Sequence, residues 1–320
     1  MKLVLLGDLD PAELAAWAET LNAALTKVLP AHRLMRGRGA PGADEAEVAI
    51  VANPPTGSLA GLPRLRLIQS LWAGVDRLLV DATVPADVPL ARMVDPAMNA
   101  AMAETALWAV LSLHRGFYSY ARQQQVGQWA QLPQSRADAW PVLVLGFGQM
   151  GQAVAQRLAE LGYPVTAWRR GVDAGSNTVD SPVTLRHGQS ALLPALAQTR
   201  IAINLLPLTP ATRGLFNAER LAAMPRGAAW VNLARGAHVV EADLLAALDS
   251  GALSHAVLDV FQTEPLPAEH RFWRHPQVTL LPHAAALTDP ASAARVVAAN
   301  VAALWSGLPL RHLVRREAQY

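Results

Sequence analysis

Residues 142–151 read VLVLGFGQMG, and the stretch QAVAQRL follows at 152–158. The four apolar residues at the start predict a buried β-strand, and the residues after the glycines have the spacing of an amphipathic helix. Gly146, Gly148 and Gly151 join the two in the pattern Gly-x-Gly-x-x-Gly. In such a turn the first glycine permits the tight bend, the second leaves room for a phosphate, and the third lets helix and strand pack closely. The segment predicts a parallel α/β fold with a pyrophosphate site at a helix N-terminus.

A second apolar strand is predicted at 164–168, at the distance that a dinucleotide-binding unit requires. This context favours a dinucleotide site over the alternative, a structural glycine turn that holds no ligand. An NAD enzyme carries an acidic residue after this strand to accept hydrogen bonds from the ribose. Here Arg169 and Arg170 follow, and two guanidiniums suit the 2′-phosphate of NADP. The sequence predicts NADP, with NADPH preferred over NADH; two ordinary surface arginines are the alternative.

The composition excludes several kinds of chemistry. The 320 residues contain no cysteine, which excludes disulfides, thiolate-bound zinc, iron–sulfur clusters and a cysteine nucleophile. The 27 basic and 25 acidic residues leave a net charge of +2, too little to indicate a nucleic-acid partner. The N-terminal MKLVLLGD reads as a strand rather than a signal peptide, and no apolar run is long enough for a membrane span. We expect a cytoplasmic enzyme without a metal, since no His/Asp/Glu clustering is present.

Strand-like and helix-like segments alternate along the chain, which favours an α/β architecture with parallel sheets. Strands are predicted at 3–6, 48–51, 67–70, 199–205, 228–233 and 253–260, and helices at 11–29, 99–120, 241–250 and 290–307. Residues 1–98, completed by 286–320, are expected to form a substrate domain, and residues 99–285 an NAD(P)-binding Rossmann domain. Both domains are predicted to be doubly wound, Rossmann-like or flavodoxin-like, with the active site in the cleft between them.

Arg235 follows an apolar strand and lies in a turn of small residues. Side chains at the carboxyl end of a parallel strand face the ligand crevice. A guanidinium offers two parallel donors that match a carboxylate, so Arg235 is a candidate clamp for an acid substrate. An ion pair between the domains is the alternative.

Asp259 and His283 end two further apolar segments. A buried carboxylate needs a partner because unpaired burial is costly, and the nicotinamide carboxamide is a candidate partner for Asp259; a helix cap is the alternative. His283 follows Pro282, which restricts the backbone. An imidazole with a pKa near neutrality is a natural proton donor for a hydride-transfer reaction, with a purely structural histidine as the alternative.

Together these segments resemble the D-isomer-specific 2-hydroxyacid dehydrogenases, most closely the glyoxylate/hydroxypyruvate reductase A branch. The resemblance covers nearly the whole chain and rests on 146–151, 203–207, 231–236, 238–245, 258–267 and 282–283, in the family's order and spacing. It implies that Arg235 binds the substrate carboxylate and polarises the keto group, that His283 is the acid, and that Glu264 pairs with His283.

The resemblance also implies where cofactor and substrate lie. The predicted cofactor-binding residues are Gly146, Gly148, Gln149, Met150, Gly151, Trp168, Arg169, Arg170, Leu206, Pro207, Ala234 and Asp259. The predicted substrate-binding residues are Ala73, Gly74 and Val75, whose backbone N–H groups are expected to hold the carboxylate, the adjoining Trp72, and Arg235 and His283.

Two positions depart from the family pattern. Ala285 stands where many members have Gly, and Trp72 stands where relatives also carry smaller residues. If the indole of Trp72 covers the pocket, small keto acids are preferred over bulky ones. The alternative is that this ring packs into the core or against another subunit.

The sequence predicts NADPH-dependent reduction of small 2-keto acids such as glyoxylate and hydroxypyruvate. Two alternatives stay open: another family member, of the phosphoglycerate or phosphite dehydrogenase type, and a non-catalytic nucleotide-sensing protein. A pure binding protein would not need Arg235, Glu264 and His283 together. The apolar helix at 99–120 and the resemblance also predict a homodimer.

Overall fold

The computed structural model describes residues 1–171 and 181–318. These residues divide into two compact units, one of Met1–Met98 with the chain from Thr288 onward, the other of Asn99–Leu287. Each unit is built on one sheet, and every strand pairing within the two sheets is parallel. The protein therefore has two parallel-sheet α/β domains, as the alternation of segments predicted.

The N-terminal part of the first unit, Met1–Met98, contains five strands and two complete α-helices. They are β1 (Lys2–Gly7), α1 (Pro11–Val28), β2 (Arg33–Arg36), β3 (Val48–Ala52), β4 (Leu67–Ser70), α2 (Asp76–Val80) and β5 (Leu90–Ala91). The strand order is β2-β1-β3-β4-β5, which is the flavodoxin-like order. Helix α1 begins where it does because Asp10 caps it: the carboxylate accepts the N–H groups of Ala12 and Glu13 at 2.8 and 2.9 Å.

The second unit contains seven strands. They are β6 (Val142–Leu145), β7 (Val165–Arg169), β8 (Val183–His187), β9 (Ile201–Asn204), β10 (Ala228–Asn232), β11 (Leu253–Leu258) and β12 (Val278–Leu280). Their order is β12-β11-β10-β9-β6-β7-β8, so the chain winds outward in both directions from β6. This is the Rossmann order with one added strand, and its direction reverses between β6 and β9, where ligands bind in such sheets.

The first helices of the second unit differ from the prediction. They are α3 (Pro96–His114), which enters from the first unit, α4 (Phe117–Gln125), α5 (Gln149–Glu160), α6 (Leu192–Leu196), α7 (Ala218–Ala222) and α8 (Glu241–Asp249); α9 (Pro290–Trp305) then returns to the first unit. The prediction of one helix at 99–120 was wrong. Gly116 interrupts it with a left-handed backbone, φ 72°, which ends α3 and turns the chain into α4.

The core of the second unit lies on both faces of its sheet. On one face Val142 and Val144 pack with apolar residues of α3 and α5, and on the other Leu143 and Leu145 pack with residues of α6 and α8. The apolar residues of α3 in this unit, such as Ala106 and Val110, are thus largely used in the unit's own core. Within the described part of the chain, every helix is too short or too polar to cross a membrane.

Candidate active site

The glycine turn after β6 is built from contacts that exclude side chains. A Cβ on Gly151 would lie 1.9 Å from the carbonyl oxygen of Gly146, so α5 can approach β6 only with glycine there. Gly146 has φ 99°, and a Cβ on it would lie 2.7 Å from the carbonyl oxygen of Leu205. Both positions need glycine for reasons of backbone packing.

Gly148 differs, because a Cβ on it would meet nothing within 4 Å. It precedes α5, whose N-terminus no side chain of the described residues caps. The exposed Gln149 and half-buried Met150 follow as the first helical residues. Open space beside uncapped N–H groups at a helix N-terminus fits a pyrophosphate, so this turn fits a dinucleotide.

The end of β7 carries the two arginines that were assigned to the 2′-phosphate. Arg169 is half-buried, and its Nε donates to Nδ1 of His187 at 3.1 Å, across the β7–β8 pairing. Arg170 is exposed. The sequence did not predict a role for His187, because its partner Arg169 lies on another strand, 18 residues earlier in the chain. Arg169 and His187 are therefore in contact at the ends of two neighbouring strands, and Arg170 follows Arg169 in the chain.

The structure contradicts the prediction that the side chain of Trp168 binds the cofactor. Its side chain is 0% exposed, and its Nε1 donates to the carbonyl oxygen of Gly188 at 2.8 Å. The indole therefore belongs to the core and has no surface to offer a cofactor. Its backbone oxygen accepts the N–H of Gly146 at 2.8 Å, so the backbone of Trp168 holds the first residue of the glycine turn.

Leu206, Pro207 and Ala234 lie at the carboxyl ends of β9 and β10. Leu206 and Ala234 are buried, and Pro207 is exposed. Because β9 and β10 are neighbours, the segments that follow them lie side by side at one edge of the sheet.

Arg235 is held beside the segment that follows β11. Its backbone is extended, and its Nη1 donates to the carbonyl oxygen of Ala234 at 2.7 Å. The next residue, Gly236, packs on the backbone of Phe261, where a Cβ would lie 1.9 Å from the carbonyl carbon. Only glycine permits this approach, which places the Arg235 turn against the segment that carries Glu264.

Glu264 is held at both carboxylate oxygens. Oε1 accepts the N–H of Phe261 at 2.8 Å, and Oε2 lies 2.7 Å from Nδ1 of His283. Burial by itself would raise the pKa of Glu264, but these two hydrogen bonds and the charges of His283 and Arg235 outweigh it, so the pKa is lowered. Glu264 is therefore a carboxylate at neutral pH.

His283 occupies an unusual backbone conformation for its residue type, with φ 54°. Non-glycine residues in this region are strained and persist where their surroundings hold them. Its N–H donates to the carbonyl oxygen of Asp259 at 2.9 Å, and its ring remains half-exposed. The hydrogen bond to Glu264 raises the pKa of His283, against the effect of burial. The ring is thus an accessible imidazole whose protonated form is favoured.

Asp259 fixes the residues after His283. Its carboxylate is 2% exposed and accepts the N–H groups of Ala284 at 2.7 Å and Ala285 at 3.1 Å. Burial raises its pKa, and these N–H donors oppose that effect. The helix-cap alternative for Asp259 is wrong, because neither donor lies at the start of a helix; the next helix, α9, begins at Pro290.

Comparison with known sequences decides the family. A profile described as the NAD binding domain of D-isomer specific 2-hydroxyacid dehydrogenases matches residues 107–285. The chain is 41% identical over 296 residues to a glyoxylate/hydroxypyruvate reductase A from Serratia proteamaculans, covering 91% of this chain and 92% of that protein. A protein of the same name from Salmonella heidelberg is 40% identical over 318 residues, covering 96% of this chain. The chain belongs to the D-isomer specific 2-hydroxyacid dehydrogenase family. This dehydrogenase is an NAD(P)-dependent oxidoreductase.

Solved structures of the family match the whole dehydrogenase. A D-isomer specific 2-hydroxyacid dehydrogenase from Xanthobacter autotrophicus, in complex with NADPH and MES, has a TM-score of 0.91 and 37% identity over 100% of this chain and 99% of its own. An NADPH-dependent glyoxylate/hydroxypyruvate reductase from Sinorhizobium meliloti, in complex with NADP and sulfate, has a TM-score of 0.87 and 33% identity, with the same coverage of both chains.

The predicted substrate loop of the dehydrogenase belongs to its first unit. Trp72 packs edge-on against Trp17 of α1, with ring centroids 5.9 Å apart. The N–H groups of Ala73, Gly74 and Val75 lead into α2 and find no acceptor in the described parts of the chain. A row of unpaired donors suits a carboxylate. The role of Trp72 in substrate choice stays a prediction.

Ala285 is tolerated by the dehydrogenase for a local reason. Among the described residues it is not one of those with positive φ, and its buried N–H donates to Asp259. The strained position is His283 instead, so replacing glycine by alanine two residues later costs no backbone strain. Within residues 1–171 and 181–318 no group of three or more His, Asp and Glu side chains is arranged to hold a metal ion.

Proposed function

We propose that this dehydrogenase uses NADPH to reduce small 2-keto acids, glyoxylate and hydroxypyruvate among them, to 2-hydroxy acids. The observation that carries the proposal is the 2.7 Å contact between His283 and Glu264, next to the Arg235 turn. A proton donor, a carboxylate that keeps it charged, and a guanidinium for an acid group are what this reaction requires. The reductase names of the relatives from Serratia and Salmonella support the substrate class.

The residues around the glycine turn support NADPH as the cofactor. The open space at Gly148 suits the pyrophosphate, and Arg169, which contacts His187, suits the 2′-phosphate together with Arg170. When bound, NADPH supplies the hydride that reduces the C2 carbonyl. The titles of the Xanthobacter and Sinorhizobium structures name NADPH and NADP, which supports the same choice here.

In this proposal His283 donates the proton that the keto oxygen takes up during reduction. Glu264 accepts a hydrogen bond from Nδ1–H of the ring, which leaves Nε2 to face the substrate, and its charge stabilises the imidazolium. Arg235 binds the substrate carboxylate in a two-point contact and stabilises the negative charge that develops on the keto oxygen. The unpaired N–H groups of 73–75, in the first unit, suit a carboxylate in the same way.

We also propose that Asp259 accepts a hydrogen bond from the nicotinamide carboxamide. Among the described residues, its Oδ2 accepts one long hydrogen bond, from the N–H of Ala285 at 3.2 Å, which leaves a lone pair for a further donor. The same carboxylate would then hold both the cofactor ring and the turn after His283.

The test is oxidation of NADPH with a panel of glyoxylate, hydroxypyruvate, pyruvate and phenylpyruvate. We expect the highest kcat/KM with glyoxylate or hydroxypyruvate. Oxidation of phosphoglycerate or phosphite with NAD⁺ or NADP⁺, in the absence of keto-acid reduction, would instead support the other branches of the family. NADPH binding without turnover of any substrate would support a nucleotide-sensing protein.

The homodimer and the cytoplasmic location remain predictions. Exposed aromatic residues of the second unit, including Trp108, Phe117 and Trp129, offer apolar surface for a partner copy. Light scattering coupled to gel filtration would measure the mass directly, and the mass of a single chain of 34.2 kDa would contradict the dimer.

A further inference from the structure

Three polar side chains are buried together beneath the candidate active site. Asn204 ends β9, Asn232 ends β10, and His238 ends the turn of 3-10 helix at Gly236–His238. Their exposed fractions are 0%, 1% and 0%. None of them reaches solvent, so each must find its hydrogen-bond partners inside the protein.

The hydrogen bonds among the three fix their orientation. Nδ2 of Asn204 donates to Oδ1 of Asn232 and to Nδ1 of His238, both at 2.9 Å. A nitrogen that accepts carries no proton, so the partners assign the ring proton of His238 to Nε2. This Nε2 lies 3.2 Å from the carbonyl oxygen of Pro207, to which it donates. The opposite orientation of the Asn204 amide would place two oxygens against each other.

The same side chains hold the backbone of two functional segments. Oδ1 of Asn204 accepts the N–H of Leu206 at 3.2 Å, so the segment after β9 is held at Leu206 and again at Pro207. Oδ1 of Asn232 accepts the N–H of Ala234 at 3.3 Å, and its Nδ2 donates to the carbonyl oxygen of Arg235 at 3.0 Å. One buried network therefore links the proposed cofactor segment to the proposed substrate clamp.

We propose that His238 is a positioning residue, which holds Pro207 directly and the Arg235 backbone through Asn204 and Asn232, and so keeps the two segments in a fixed relation. A buried network with all members satisfied is rigid, whereas removal of one member leaves the others unpaired in a region of low dielectric. The proposal deepens the proposed function, since it rests on the roles given there to Pro207 and Arg235.

Two substitutions of His238 separate its two hydrogen bonds. His238→Asn keeps a polar atom near the position of Nδ1, facing Asn204, but is too short to reach Pro207. His238→Gln can place an N–H near the position of Nε2, facing Pro207, but offers Asn204 no acceptor. We expect the Asn variant to raise the Kd for NADPH about fivefold or more, and the Gln variant to raise the KM for the keto acid by a similar factor.

His255 supplies the matched control. It is also a buried histidine, 6% exposed, on β11 of the same unit, and its Nε2 lies 2.9 Å from Thr279 Oγ1. His255→Asn and His255→Gln should lower Tm without separating Kd for NADPH from KM for the keto acid. If the two His238 variants show the control's pattern, or shift both constants equally, His238 is a structural residue and the proposal is overturned.

Asn232→Ser covers the case in which the His238 variants fold poorly. It removes the donor to the Arg235 carbonyl and leaves the His238–Pro207 bond in place, so KM for the keto acid should rise while Kd for NADPH stays the same. The reverse pattern would overturn the proposal. Kd for NADPH, measured by quenching of protein fluorescence, needs no substrate, so the His238→Asn result stands even if the enzyme reduces none of the keto acids in the panel.

Discussion

Nδ1 of His283 lies 2.7 Å from Oε2 of Glu264, while the second oxygen of Glu264 accepts the N–H of Phe261 at 2.8 Å. The carboxylate is thus oriented by the backbone of its own segment, and the imidazole is oriented by the carboxylate. Because the carboxylate stabilises the charged ring, the pKa of His283 is raised and that of Glu264 is lowered.

Glu264→Gln should shift the pH dependence of reduction to lower pH. The hydrogen bond and charge of Glu264 raise the pKa of His283, so without the charge, burial is expected to pull this pKa down. Reduction needs the protonated ring, and kcat/KM should therefore begin to fall at lower pH than in the wild type. Glu269→Gln, the same change at an exposed position, is the control. An unchanged profile in the Glu264 variant would contradict the pairing.

The same pair gives a pH dependence of stability with a defined sign. Because the folded pKa of His283 is raised, its contribution is fully present below its ordinary pKa of about 6.5 and is lost as pH rises through the raised value. Glu264, with a lowered pKa, contributes above its ordinary value of about 4.5 and loses that contribution as pH falls through the lowered one. The Tm of the Glu264→Gln variant should lie below the wild-type Tm at pH 6, and this difference should become smaller at a pH above the raised pKa of His283.

Arg235→Lys keeps the charge but not the planar pair of donors. We expect a higher KM for the keto acid and a lower kcat, since the residue is assigned to both the carboxylate and the developing charge. Arg220→Lys is a matched control, because its Nη1 donates to a backbone oxygen, that of Leu215, at 2.9 Å. Wild-type kinetics in the Arg235 variant would point to a structural ion pair instead.

Trp72→Ala tests whether the indole limits substrate size. If the ring covers the pocket, kcat/KM for phenylpyruvate relative to glyoxylate should rise. Trp17→Ala removes the same edge-on contact from the other side, so both variants should lose the stability of an aromatic pair, about 0.5–1.5 kcal/mol, but only Trp72→Ala should change the ratio. Equal ratios in both variants would leave Trp72 as a packing residue.

Arg169→Asp should reverse the cofactor preference. The substitution removes a donor and adds repulsion against a 2′-phosphate, so kcat/KM with NADPH should fall while that with NADH is kept or improved. The wild-type enzyme should prefer NADPH by at least about tenfold. Arg186→Asp, one residue before His187 and on the opposite face of the strand, makes the same charge change as a control. Equal use of both cofactors by the wild type would contradict the assignment.

Much of the second unit could be predicted from the sequence because its central strands are continuous apolar runs between glycine and proline turns. The strands at β9, β10 and β11 were predicted to within two residues. The edge strands β2 and β8 were missed, because the two apolar residues of β2 and the alternating polar residues of β8 give a weak apolar signal. Gly116 was read as part of a helix, although glycine is the residue that most often ends a helix with a left-handed turn.

The site could be predicted where one segment carries the signal, and not where two segments meet. Arg235, Glu264 and His283 each follow a recognisable strand. The contact of His187 with Arg169 and the hold of Asp259 on Ala284 depend on pairings across the sheet that no local pattern reveals. The positive φ of His283 was equally hidden, because such a backbone is ordinarily signalled by glycine.

The most direct test of the central claim is the turnover of His283→Ala with NADPH and its best keto acid, measured together with the Kd for NADPH. Loss of a general acid should lower kcat by about 10²- to 10⁴-fold, with the Kd for NADPH almost unchanged, because the proton donor is removed and the residues around the glycine turn are not. A variant that keeps more than about a tenth of the wild-type kcat would contradict the account, because removal of the general acid should lower kcat by more than that.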